Sequence, residues 1–160
     1  MKRSPTRRDK GIKQQRHDVY KHKGKLIEGT VCTTCNVAYS KGRWTWNYEG
    51  ETSKQIICPA CRRIKDGHPA GFIELSGEFF KENNEEIINL VRNIEEQHKE
   101  EHPMQRIIRI RKRRNRATMV ETTGVHLARR IGDSISRAYQ GEYSFQYADN
   151  YNRIRIQWER

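Results

Sequence analysis

All four cysteines fall into two CxxC pairs, Cys32 with Cys35 in "TVCTTC" and Cys58 with Cys61 in "IICPAC", separated by residues 36–57. A CxxC turn presents two sulfurs on one side of the chain. Two such turns supply the four thiolates that a tetrahedral Zn2+ accepts at about 2.3 Å. A lone CxxC also suits a redox pair, but that chemistry is tied to a βαβ setting that this region lacks. Structural disulfides belong to oxidising compartments, and redox or iron–sulfur use of the cysteines is the alternative to zinc. The spacing therefore predicts one structural Zn2+ held by Cys32, Cys35, Cys58 and Cys61. With all four positions filled by protein, no place is left for a catalytic water.

A second group has metal-ligand spacing. "HKEEH" sets His98, Glu101 and His102 in the H-x-x-E-H order of inverted zinc proteases. His98 and His102 would share a helix face, but Pro103 follows at once and no third ligand is evident. His98 also continues an apolar helical stripe. Satisfied boundary histidines are the simpler reading, with a metal-dependent hydrolase using His98 and His102 as an alternative. No nucleophile elbow, P-loop or GxGxxG is present, so the chain reads as a non-enzyme.

Charge points to the partner. The formal net charge is +12 over 160 residues, which favours a polyanion. The excess is segregated. Residues 1–25 hold ten Lys or Arg against Asp9 and Asp18, and residues 106–116 hold seven without an acid. Residues 81–101 carry seven Glu against three basic residues. No run approaches the roughly 20 apolar residues of a membrane span, so a cytoplasmic location without membrane contact is expected.

These groups need elements to position them. Residues 1–28 lack apolar periodicity and read as a disordered basic arm. Residues 29–68 form the expected zinc ribbon, with a β-hairpin over residues 36–57 and a core too small to fold without metal. Residues 69–160 carry the larger domain. "GFIELSG" alternates like a strand. Ile87, Val91 and Ile94 recur at helical spacing in a helix over roughly 79–101 that ends at Pro103. "IIRIRK" and "ATMVETT" flank a basic turn. A second helix over about 122–141 takes Thr122 or Thr123 as its cap and Gly141 as its stop. "YSFQY" and "RIRIQW" alternate as closing strands. The expected fold class is α+β: a four-cysteine zinc ribbon followed by a ferredoxin-like βαββαβ domain. Tyr143, Phe145 and Tyr147 fall on one strand face, either as a stacking platform or as core.

Candidate RNA contacts follow from these placements. The arm offers Lys2, Arg3, Arg7, Arg8, Lys10, Lys13, Arg16, Lys21, Lys23 and Lys25. The ribbon offers Lys41, Arg43, Trp44, Arg62, Arg63 and Lys65. The basic hairpin offers Arg109, Arg111, Arg113, Arg114 and Arg116, and the second helix offers His126, Arg129 and Arg130. Lys and Arg neutralise phosphates, while a Trp stacks on an unpaired base. Trp44 or Trp46 equally suits the roof of the small core. A DNA-binding zinc-ribbon regulator is the competing class, although neither helix reads as a recognition helix.

The stretches "VCTTCNVAYSKGRWTW…CPACRRIKDGHPAGFIELSG" and "HPMQRI…ETTGVHLARRIGDSISRAYQGEYSFQY" resemble a small prokaryotic zinc-ribbon family. That family is similar to the N-terminal part of the Nmd-three family, the nuclear export adaptor of the large ribosomal subunit. The adaptor generally has more cysteine pairs than the two here. The resemblance, over about residues 30–158, implies binding to ribosomal RNA or the ribosome, on the large subunit. It points to the cysteines, the ribbon's basic residues, Thr122, Thr123, His126, Arg129 and Arg130. The expectation is a ribosome-associated factor in assembly, stress or hibernation, monomeric when free.

Overall fold

A computed structural model describes residues 18–148 and 150–160. Two β-sheets organise them. The smaller contains β1 (Thr30–Cys32), β2 (Ala38–Ser40), β3 (Arg43–Thr45) and β4 (Lys54–Ile56) in the order β3-β2-β1-β4. Between β2 and β3, Lys41 and Gly42 both take positive φ, at 50° and 81°. That is the twist a two-residue hairpin loop needs. Helix α1 (Pro59–Asp66) follows. Its first-position proline lacks an N–H that would go unused there anyway, and Gly67 closes it in the left-handed region at φ 59°. The cysteine module is thus a knuckle, a hairpin and a helix. The second CxxC lies on the first turn of that helix.

The larger sheet contains β5 (Gly71–Ser76), β6 (Ile107–Lys112), β7 (Thr118–Thr122), β8 (Glu142–Ala148) and β9 (Arg153–Glu159), ordered β6-β7-β5-β9-β8. Helices α2 (Glu78–Glu82), α3 (Asn84–Glu101) and α4 (Val125–Tyr139) supply the core on one face. The α+β class is as expected, and β6-β7-β5 reproduces half of the ferredoxin-like order, with antiparallel pairing throughout. The other half differs. β9 lies beside β5 and parallel to it, while β8 pairs antiparallel on the outside. The apolar stripes account for this. Ile154, Ile156 and Trp158 of β9 are buried and suit a central strand. Tyr143, Phe145 and Tyr147 of β8 tolerate a half-exposed edge.

Ile87, Val91 and Ile94 of α3 pack with Leu127, Ile131 and Ile135 of α4 against Ile73, Val120 and Ile156. Each such side chain contributes about 1.5–3 kcal/mol on burial. The exposed Lys81–Glu78 and Lys99–Glu96 pairs contribute a few tenths each. Apolar burial therefore decides where the helices lie.

Three expected boundaries move. The helix over 79–101 breaks at Asn83, whose Nδ2 donates to Phe79 O at 2.9 Å. Helix α4 starts after Gly124, so neither threonine caps it. Thr122 Oγ1 instead donates to Gly124 O at 2.8 Å, and Thr123 Oγ1 to Met104 O at 2.7 Å. The Leu127 amide is satisfied from outside the helix, by Gln105 Oε1 at 3.0 Å. A Cβ on Gly124 would overlap the Gln105 carboxamide, so the cap requires glycine there. At the other end, Gln140 with φ 60° caps the helix one residue before Gly141.

The described part of the expected arm, residues 18–28, makes defined contacts. Asp18 Oδ1 accepts from Arg63 Nη2 at 2.7 Å, the Tyr20 ring lies 4.3 Å from the Arg63 guanidinium, and Tyr20 Oη donates to Asp66 at 2.9 Å. Leu26 is buried. Asp18 and Tyr20 therefore dock on α1, while Glu28 accepts from Ser40 and Lys41 of the hairpin. The expected contacts at Lys2, Arg3, Arg7, Arg8, Lys10, Lys13 and Arg16 lie outside the described residues. Among the described residues no helix is long and apolar enough to cross a membrane.

Candidate metal centre and the basic surfaces around it

The two CxxC pairs meet because each sits on a tight turn at the end of an element. Cys32 ends β1. Its N–H donates to Val37 O at 2.9 Å and its carbonyl accepts from Asn36 N at 3.0 Å, while Asn36 takes φ 64° to close the knuckle. Cys58 is the N-cap of α1 and accepts from Cys61 N at 3.4 Å. Positions three apart share a helix face, so Cys58 and Cys61 point the same way.

The four Sγ atoms lie within 4.8 Å of one another, and none is in a disulfide. Cys35 Sγ and Cys58 Sγ are 3.8 Å apart. A tetrahedral site with metal–sulfur bonds of about 2.3 Å has edges of about 3.8 Å. The donor set therefore fits a thiophilic divalent ion. Cys32, Cys58 and Cys61 are buried and Cys35 half-buried.

N–H groups surround the sulfurs. Thr34 N and Cys58 N donate to Cys32 Sγ at 3.4 and 3.2 Å. Burial pushes the Cys32 thiol up, but amide N–H bonds from Cys58, Cys35 and Thr34 outweigh it and hold it at about 6. Burial raises Cys58 and Cys61. A bound cation removes that penalty by keeping every sulfur deprotonated.

The strongest donor comes from the other sheet. Arg106 is only 8% exposed. It donates from Nη1 to Cys61 Sγ at 3.3 Å and from Nη2 to Cys35 Sγ at 3.2 Å, with Cys58 Sγ farther at 3.8 Å. Its Nε donates to Pro103 O at 2.7 Å, its backbone N–H to Thr123 Oγ1 at 2.8 Å, and Trp46 lies 5.3 Å from its guanidinium. Four thiolates around a divalent ion carry a net charge of −2, and Arg106 offsets half of it inside a low-dielectric site. A buried guanidinium is tolerated only when its donors are so occupied. Nothing in local spacing marks Arg106. The sole sequence signal is its position before two isoleucines, apart from the rest of the basic run.

The hairpin is fastened to the same region. Trp46 Nε1 donates to Lys99 O at 2.8 Å. Pro103 stands four residues beyond Lys99 and has no N–H, so the Trp46 indole fills the place of the missing helical donor. Trp44 is half-buried against the cysteine cluster. It supplies the small core, edge-on to Tyr39 at 5.5 Å.

The basic residues expected on the surface divide. Lys21, Lys23, Lys25, Lys41, Arg43, Arg62 and Lys65 are exposed. Lys21, Arg43 and Trp44 line one cleft of about 580 Å³ with His102 and Met104. Arg63 does not join them. It is 7% exposed and paired with Asp18, because its helix position faces Asp18 and the Tyr20 ring. Arg109 and Arg111 both hold Glu121, Arg113 pairs with Glu74 at 3.1 Å, and Arg114 and Arg116 stand exposed in the β6–β7 turn. On α4, His126 and Arg130 are exposed, whereas Arg129 donates to Asp133 at 2.9 Å and lies 3.6 Å over Phe145. Tyr143 and Tyr147 pack on the core beneath α4. The expected platform is therefore covered from the helix side.

The His98 and His102 ring centroids lie 4.5 Å apart with the rings tilted by 40°, and His98 Nε2 is buried without a hydrogen-bond partner. Among the described residues the cysteines are the one cluster of three or more metal-binding side chains. The histidine pair gains no third ligand among them. No protein-family model matches the chain, and no curated protein or solved structure matches it.

Proposed function

We propose that this chain is a non-enzymatic zinc protein that binds ribosomal RNA, acting as a ribosome-associated factor. The observation that carries the reading is Arg106. One buried guanidinium joins the four-cysteine group to the larger sheet, so the exposed cations of both modules belong to a single rigid frame. Zn2+ held by Cys32, Cys35, Cys58 and Cys61 is structural in this reading, because protein sulfurs fill a tetrahedral shell. Lys41, Arg43, Arg62 and Lys65 flank the finger, and Arg113, Arg114 and Arg116 mark the far turn. A fixed spread of cations suits the irregular phosphate surface of folded RNA. The net charge of +12 agrees with a polyanionic partner. The resemblance to the Nmd-three family directs the proposal to the large subunit.

Salt dependence tests it. If about six cations meet phosphates, affinity for ribosomal RNA falls about a thousandfold as salt rises fourfold from about 50 mM. Gradient sedimentation with large ribosomal particles at low salt is the cellular counterpart. Equal affinity for duplex DNA under the same conditions favours the regulator reading. A flat salt response removes the electrostatic mechanism.

A further inference from the structure

The five-stranded sheet has two faces, and among the described residues its helices pack on one. On the other, the register sets a transverse row: Arg109, Glu121, Phe72, Arg155 and Gln146, one residue from each strand. Glu121 is fully buried yet charged in type. It accepts from Arg109 Nε and, at 2.7 Å, from Arg111 Nη2. Those two arginines remain about half exposed, at 44% and 53%. One carboxylate thus fixes two guanidinium groups and leaves a surplus positive charge. Each guanidinium carries five N–H donors, and only one from each is engaged by Glu121. Next along the row, Phe72 is half-buried, with the exposed Arg155 guanidinium 4.8 Å above its ring. An aromatic ring and a guanidinium plane are the two surfaces on which unpaired bases stack. Arg109 and Arg155 stand three strand spacings apart, about 14 Å, the two ends of a short crossing path.

We infer that this open sheet face holds a single-stranded segment of RNA, with phosphate on the Arg109–Arg111 pair and a base stacked on Phe72 and Arg155. The inference rests on the RNA-binding reading and names the surface that performs it. Charge selects the occupant. Residues 1–17 of the same chain carry seven Lys or Arg against Asp9, and a second copy carries +12; both are repelled by a positive face. Duplex RNA has no free base to offer Phe72. Unlike the aromatic stripe on β8, this row lies away from α2, α3 and α4, and only its Arg109 end comes close to Gly67 at the end of α1.

The test is anisotropy of a labelled twelve-nucleotide oligouridine with the full zinc-loaded chain, read beside ribosomal RNA binding. Phe72→Leu and Arg155→Gln leave the Glu121 cluster intact, so both should fold. Each is expected to weaken the oligouridine about fivefold to a hundredfold. Both variants act on the stacked base and not on a phosphate, so neither changes the salt slope. Phe72→Tyr, which keeps the ring, binds as the parent does. If both weakening variants melt normally and bind oligouridine like the parent, the face is not the site, although the ribosomal RNA reading stands. Equal binding of oligodeoxyuridine or of an acidic peptide overturns the assignment to RNA. A parent chain that binds neither oligouridine nor ribosomal RNA overturns the proposed function itself.

Discussion

Arg106 and Cys61 lie 45 residues apart in sequence, yet Arg106 Nη1 donates to Cys61 Sγ at 3.3 Å. One side chain therefore couples the cysteine finger to the α+β domain. Replacing Arg106 with Met keeps most of its apolar volume and removes every N–H···S bond. Metal affinity should fall about 10- to 100-fold, the usual effect of losing a partner of the ligands. Competition with a chromogenic chelator measures it. Arg106→Lys should recover part of the loss, since it restores charge but not the fork. Affinity unchanged in the Met variant would separate the guanidinium from the metal.

Glu121 is the other buried charge whose worth can be read. Glu121→Ala leaves Arg109 and Arg111 facing each other without their shared carboxylate. Both arginines are about half exposed and partly solvated, so the full cost of a broken buried pair does not apply. A loss of about 2 kcal/mol in urea unfolding is expected. A change within a few tenths would show that water already screens the cluster.

Trp46→Phe keeps a ring near Arg106 and deletes the indole donor to Lys99 O. The expected cost is about 1 kcal/mol, that of one neutral hydrogen bond. Because Pro103 offers no N–H, the last turn of α3 has no replacement donor there. Faster amide exchange in residues near the end of α3, with the rest of the helix unaffected, is the signature. Uniform exchange across the helix would mean that the indole bond does not hold that end.

His98 makes the fold sensitive to acid. Burial holds its pKa below the usual 6.5, and the nearby His102, Arg130 and His126 push it the same way, against Glu101. The unfolded chain therefore binds the proton more readily than the folded one. Stability is fully present above about pH 6.5 and declines as pH falls toward the depressed folded value. His98→Gln should flatten that part of the profile, seen as urea midpoints that no longer drop across the window. A parallel drop in both proteins would assign the sensitivity elsewhere.

Local spacing was legible in the sequence wherever a few residues settle the outcome. Two CxxC turns specify four convergent sulfurs, because backbone turns place residues three apart on one side. The alternation in "GFIELS", "IIRIRK", "YSFQY" and "RIRIQW" marked the strands, and Ile87, Val91 and Ile94 marked the buried face of α3, because strand and helix periods are fixed by backbone geometry. Tertiary structure alone decided which strands are neighbours, and therefore that β9 displaces β8 from the side of β5. Packing also turned Arg63 inward to Asp18, set Arg106 on the cysteines, and placed Arg109 and Arg111 on Glu121. An arginine reads as one more positive charge in a sequence. Whether it meets solvent, a carboxylate or a thiolate depends on which distant segment occupies the space beside it, and that follows from competition among all the apolar faces for the same core.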